Sequence, residues 1–196
     1  MKILLLKTLL IFTLLCGYLV FAPSVQIVTR NAVLIKQIDS MFQDDQFWRI
    51  EFTKRERKEK SIYSDETIQK SLTKTDSVNK LKAKIIVKEY GYPGYDLVGS
   101  SSDRFWVLVQ HCDNDVPFQQ RVLALMKQQI AKNNASKKNY TLLANRVLVN
   151  VHQQQVYGTQ ASIDPKTNKE IPFPLEILNW LLNFARGETL SHLSST

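Results

Sequence analysis

Apolar residues recur at steps of three and four along most of this chain, a spacing that lines one face of a helix and leaves few places for strands. Over residues 25–60 the positions Val28, Ala32, Ile35, Ile38, Met41 and Phe42 follow it. Asp44-Asp45-Gln46 is the expected interruption before Phe47-Trp48-Arg49, and residues 54–60 mix charge signs as a solvated helix end does. Ser64 followed by Asp65 and Glu66 predicts a new start: a hydroxyl cap, then acids where the helix dipole favours them. That helix is expected to reach about Tyr90 with Leu81, Ile85 and Ile86 inward. Gly91-Tyr92-Pro93-Gly94 then stops it.

Three serines, Ser100 to Ser102, are expected to cap a helix over 103–112 whose run Phe105-Trp106-Val107-Leu108-Val109 is apolar all round. A helix of that kind belongs at the centre of a core. Asp113-Asn114-Asp115-Val116-Pro117 breaks the chain and restarts it, with Pro in a first turn where it is tolerated. Phe118, Val122, Leu125 and Met126 carry the next helix to about Asn133. Ser136 caps another, with Tyr140, Leu143, Val147 and Val151 on one side.

After Gln155 the pattern changes. Residues 156–163 and 170–175 flank the turn-rich Asp164-Pro165-Lys166-Thr167-Asn168-Lys169, which predicts a β-hairpin. Pro172 and Pro174 confine its second arm to an edge. A last helix over 175–185 is expected from Leu178, Trp180, Leu181, Leu182 and Phe184. The fold class is therefore mainly α: a compact multi-helix domain with one β-hairpin in its C-terminal half, behind a hydrophobic leader helix.

The leader comes from Lys2 and Lys7, which precede an uncharged run over 8–29 with an apolar centre at 9–22. A positive start and a short apolar run make a signal peptide, and Ala22-Pro23-Ser24 offers small residues for cleavage before Val25. An uncleaved anchor is the alternative, spanning the membrane through residues 3–22. Either way the lysines stay cytoplasmic and the remainder is exported, to the periplasm or cell exterior, or held at the membrane. Residues 1–24 thus form the leader and 25–196 a single helical domain, ordinary in size for one domain. Of the two cysteines, Cys16 lies in the leader behind Leu15, a poor lipidation context, and Cys112 is left without a disulfide partner.

The formal charge is +8, and two stretches carry the excess. Residues 49–88 hold twelve Lys/Arg against six Asp/Glu, and residues 127–146 hold five Lys/Arg and no acid. Such runs are either solvated helix faces or a surface for anionic partners; export disfavours nucleic acid among these.

The chemistry-bearing string is Gln110-His111-Cys112-Asp113-Asn114-Asp115, at the exit of the most apolar helix. A carboxylate beside an imidazole orients the ring and stabilises the imidazolium, which is what a general base or acid needs. Asp113 or Asp115 capping the next helix is the plainer reading. No metal or cofactor is expected. Counting from Asp113, the sixth residue is Phe118 where a calcium loop needs Gly, and the only histidines are His111, His152 and His192. Tyr157-Gly158-Thr159-Gln160 combines a permissive glycine with three hydrogen-bonding side chains, which suits a binding turn or a self-contained one. Asp45-Gln46 followed by Arg49 reads alone as a polar helix face.

Taken in order, Asp45-Gln46-x-x-Arg49, Gly91-Tyr92-Pro93, Leu97-Val98-Gly99, residues 106–113, residues 145–150 and residues 155–160 resemble a bacterial family known as domain of unknown function 6624. The similarity covers roughly residues 36–175. It implies a bacterial source and a meeting of the His111 and Gln160 regions in one site; it implies no particular activity. The chain departs from the family where Asn145-Arg146 stands for the usual Asp-Arg, and where Val151-His152 stands for Glu/Gln-Gly. The missing acid counts against a mechanism using that position as a base.

Three expectations follow. One is a module binding a small or anionic ligand in a pocket of Asp45, Gln46, Arg49, Gln110, His111, Arg146, Tyr157, Gly158, Thr159 and Gln160, with the two arginines on the anion. Another is a metal-independent hydrolase or transferase with His111 as base, oriented by Asp113 or Asp115. The third is a structural domain whose polar strings are caps and turns. Both site readings require Gln110, His111, Arg146 and Tyr157 to converge.

Overall fold

Asn31 opens the first helix, its side chain accepting from the Leu34 amide at 3.0 Å. The computed structural model describes residues 29–176. The leader over 1–24 lies outside them, as does all but the first two residues of the expected last helix. Helix α1 is Ala32–Glu56 and runs without a break through Asp44-Asp45-Gln46. The expected interruption fails because none of the three is a strong helix breaker. Asp45 also continues the buried stripe Leu34, Ile38, Met41, Asp45 at steps of four, three and four. Of the apolar positions expected inward, Ala32 is exposed, and Ile35 and Phe42 are half-buried.

Helix α2, Asp65–Tyr90, starts and stops where the sequence predicts. Ser64 accepts from the Thr67 amide at 3.2 Å, and Gly91 leaves the helix at φ +71°, open to glycine at no steric cost. Its inward face is another matter. Ile68, Leu72, Asn79, Ala83 and Ile86 are buried, whereas Leu81 and Ile85 are 61% and 59% exposed. Leu81 lies two residues beyond Asn79, which turns it about 200° away from the core.

A four-residue helix not anticipated from the sequence, α3 (Tyr95–Val98), leads into α4 (Ser101–Gln110). Helix α4 packs against each of the other helices among the described residues, the central place its apolar run demanded. Phe105, Leu108 and Val109 are buried, while Trp106 and Val107 are partly so. It begins and ends two residues earlier than expected, so His111 is its C-cap.

Helix α5, Val116–Ile130, is capped by Asp115 and has Pro117 in its first turn. Helix α6, Lys137–Asn150, is capped by Ser136, with Leu143, Asn145 and Val147 buried. Val151 does not continue that face: it is the C-cap and is exposed. The hairpin follows as β1 (Ala161–Ile163) and β2 (Glu170–Pro172), antiparallel in the register Ala161↔Pro172, Ser162↔Ile171, Ile163↔Glu170. Its arms are shorter than expected because the buried Gln155 side chain takes their pairing groups. It accepts from the Gln160 amide at 2.8 Å and donates to the carbonyls of Gln160 and Phe173 at 2.9 and 2.8 Å. The protein is thus mainly helical, six helices and a small two-stranded sheet among the described residues. None of these helices is long and apolar enough to cross a membrane.

Candidate functional site

Two apolar stripes each carry one carboxylate, and those two carboxylates frame the site. Asp45 follows Met41 on α1 and is 1% exposed. Asp76 falls between Leu72 and Asn79 on the inward face of α2. The C-terminus of α4 brings His111 between them.

Asp45 is fully engaged. Its Oδ2 accepts from Gln46 Nε2 at 2.8 Å, and its Oδ1 meets Arg49 Nε at 3.1 Å and His111 Nδ1 at 2.8 Å. Arg49, four residues on and so on the same helix face, also donates from Nη2 to Asp76 Oδ1 at 2.6 Å. Arg49 Nε lies 2.9 Å from His111 Nδ1 as well.

That crowding assigns the imidazole tautomer. A carboxylate oxygen and a bare ring nitrogen at 2.8 Å are two acceptors and would repel, so Nδ1 carries a proton that it donates to Asp45. The Arg49 Nε–H is directed at both Nδ1 and Asp45 Oδ1, and with Nδ1 protonated only the carboxylate, the charge-assisted acceptor, takes it. Nε2 is left as the free edge of the ring. His111 keeps 18% of its side chain exposed and lines a cleft of about 250 Å³ together with Thr73, Asp76, Ser77, Lys80, Asp113 and Asn114.

The two carboxylates are tuned in opposite directions. Burial pushes Asp45 up, but the His111 hydrogen bond, the charges of His111 and Arg49, and Gln46 together hold it below the usual range. For Asp76 burial wins over the same Arg49 and His111, helped by the like charge of Asp45, and its pKa is raised.

Donor atoms of Asp45, Asp76 and His111 lie within 4.8 Å of one another, so these are the residues that would hold a cation. The Arg49 guanidinium already supplies one, bonded to both carboxylates. A metal ion there would displace it. Cys112 beside His111 contributes no nucleophile: burial pushes its thiol up to about 12, and its Sγ lies 3.3 Å from the Leu108 carbonyl.

Neither acid expected to orient His111 does so. Asp113 faces Arg146, which donates from Nε at 2.6 Å and from Nη2, and Asn150 Nδ2 adds a bond at 3.0 Å. After the burial cost these contacts hold Asp113 below the usual range. Asp115 caps α5 through the Phe118 amide at 3.3 Å and pairs with Lys84 at 2.5 Å. The partner of His111 is Asp45.

Arg146 thus reaches the cleft only through Asp113. Gln110 sits at the end of α4, its carbonyl accepting from the buried Gln119 amide at 3.3 Å. The 157–160 turn is wired elsewhere. Asn145 accepts from the amides of Val156 and Tyr157 at 3.0 and 3.1 Å and donates to Thr159 Oγ1 at 3.0 Å. Gln160 Nε2 turns back on Thr159 Oγ1 at 3.2 Å, Gly158 takes φ +65°, and Tyr157 is 52% exposed. Among the described residues, no hydrogen bond joins this turn to the His111 cluster, so the expected convergence of Gln110, His111, Arg146 and Tyr157 is not found; His111 meets Asp45 and Arg49 instead.

Asp76 is the residue that sequence reasoning missed. Its signal was available: an acid at the i+4 position after Leu72 and i−3 before Asn79, in the middle of a buried stripe.

No curated protein and no solved structure matches the chain. The sequence model of a family of unknown function, DUF6624, matches residues 34–169, more than half of the chain, and the chain belongs to that family.

Proposed function

We propose that the Asp45–His111 pair is the general base of a metal-independent hydrolase or transferase. The observation that carries this reading is the 2.8 Å bond from His111 Nδ1 to the buried Asp45 Oδ1, with the other ring edge at a cleft. A buried carboxylate on Nδ1 fixes the ring and stabilises the imidazolium formed when Nε2 takes a proton from water or a hydroxyl. Asp76 lines the same cleft, and burial raises its carboxyl pKa, the direction that favours proton delivery to a leaving group. The anion-binding module is less well supported, because Arg49 and Arg146, the expected anion contacts, are both taken by aspartates. The hydrophobic stretch over residues 9–22 adds export or membrane anchoring to the proposal.

The test is turnover of chromogenic carboxylic and phosphoric esters by the unaltered chain and by His111→Ala. Loss of general-base catalysis typically costs about 10²–10⁴ in rate. Equal rates for the two proteins on a substrate that is turned over would overturn the assignment. A ¹⁵N spectrum of the ring placing the neutral-form proton on Nε2 would contradict it independently.

A further inference from the structure

Past the His111 cleft, the same face of α2 runs into a second cavity of about 460 Å³. Lys84 and Lys88 of α2 line it on one side; Arg121, Pro117 and Phe118 of α5 line it on the other, with Asp115 at the junction. The two spaces are neighbours. Lys80 lines the cleft and Lys84 the cavity one turn on; Asn114 borders the first and Asp115 the second. Lys80, Lys84 and Lys88 recur at steps of four, so like charges stack along one helix edge, an arrangement that destabilises a helix unless something compensates it.

Compensation inside the protein is partial. Lys84 pairs with Asp115, and Lys80 donates to Asn114 at 3.0 Å. Lys88 and Arg121 are exposed and form no ion pair among the described residues. Two uncompensated cations with a third shared suit a compact group of about one to two negative charges with outward oxygens, which describes a phosphate mono- or diester. The floor from Val87, Pro117 and Phe118 accommodates a short apolar stretch beside it.

We propose that this cavity is a phosphate subsite of one continuous groove, so that the substrate carries a phosphate remote from the group acted on at His111. The distance sets its size: from Lys80 to Lys88 is about 12 Å along the helix. The proposal rests on the general-base reading for the chemistry at the other end. The phosphate belongs to a free phosphomonoester or to a phosphodiester chain, which the test separates.

The experiment is titration calorimetry of the full chain at low salt with glycerol phosphate and, separately, with glycerophosphoglycerol. Saturable binding of either, weakened about tenfold or more in Lys88→Gln/Arg121→Gln, is the expected result. The stronger of the two ligands identifies the source. Both substituted side chains are exposed, and an unchanged melting temperature verifies the fold. No binding of either compound, or equal binding by the double variant, overturns the subsite. His111→Ala is expected to bind as the unaltered chain does. A failure of the general-base reading therefore shows in turnover alone, and a failure of the subsite in binding alone.

Discussion

His111 Nδ1 and Asp45 Oδ1 stand 2.8 Å apart although 66 positions separate the residues in sequence. The carboxylate decides which ring nitrogen faces the cleft. Asp45→Asn is nearly the same shape but offers its carbonyl or its amide, so the Nδ1–H preference weakens and the imidazolium loses its counter-charge. A rate loss of about 10³–10⁴ is expected, with substrate affinity little changed. Comparing kcat and KM for this variant is the measurement; a KM effect alone would make Asp45 a binding residue.

The orientation of α2 yields a separate expectation. Leu81→Gln and Ile85→Gln change solvent-facing residues and are expected within about 0.5 kcal/mol of the unaltered stability. Ile86→Ala opens space at a residue only 1% exposed and is expected to cost about 2–5 kcal/mol. Urea denaturation distinguishes the two faces.

Those faces also mark how far the sequence could be read. Caps at Ser64, Asp115 and Ser136 were legible because a cap is a bond over three residues, decided locally. The central place of α4 was legible because a helix apolar all round has nowhere else to go. Which stripe of α2 turns inward was not: Leu81 and Ile85 compete with Asn79 and Ala83, and only packing against α1 and α4 settles it. The site escaped for the same reason. Asp113 and Asp115 are next to His111 in sequence, but α6 and the start of α5 claim them. Asp45 and Asp76 arrive from other helices, and the mark they left was an acid standing where the stripe called for an apolar residue.

Asn145, where an acid is usual in the resembling sequences, bears on the turn. It lies at 0% exposure with its oxygen on two backbone amides and its nitrogen on Thr159 and on Gln155 Oε1 at 3.3 Å. Asn145→Asp keeps both acceptor bonds, and the Thr159 hydroxyl can reverse to donate, but the Gln155 contact turns repulsive and a charge is buried at 0% exposure with no cation paired to it among the described residues. A loss of about 2–5 kcal/mol is expected at pH 7, smaller near pH 4 where the carboxyl is protonated, with turnover unchanged. Asn145→Ala strands both amides and is expected to cost about 2–4 kcal/mol. A rate gain in Asn145→Asp would instead bring this position into the chemistry.

Asp76 supplies a prediction with the opposite sign from its neighbours. The pKa of Asp45 and of Asp113 is lowered by folding, so each contributes stability that is complete above an unfolded value of about 3.9 and is lost as pH falls through the folded value. Asp76 is raised, mainly by burial, so the folded protein holds that proton more tightly than the unfolded chain does. Its ionised form therefore opposes folding above the folded pKa, and the opposition fades as pH drops toward the unfolded value. Asp76→Asn removes the strained charge while keeping the shape and an acceptor for Arg49. It is expected to be more stable than the unaltered chain at pH 7 and to lose that advantage near pH 4, as read from denaturation midpoints at both values. With Asp76 as the proton donor, the same variant is expected to be slower as well as more stable, the exchange that follows where a site keeps a group in an unfavourable environment for its chemistry. A variant less stable at pH 7 would mean that the Arg49 pair outweighs burial, and Asp76 would then be a structural partner of Arg49 with no proton to give.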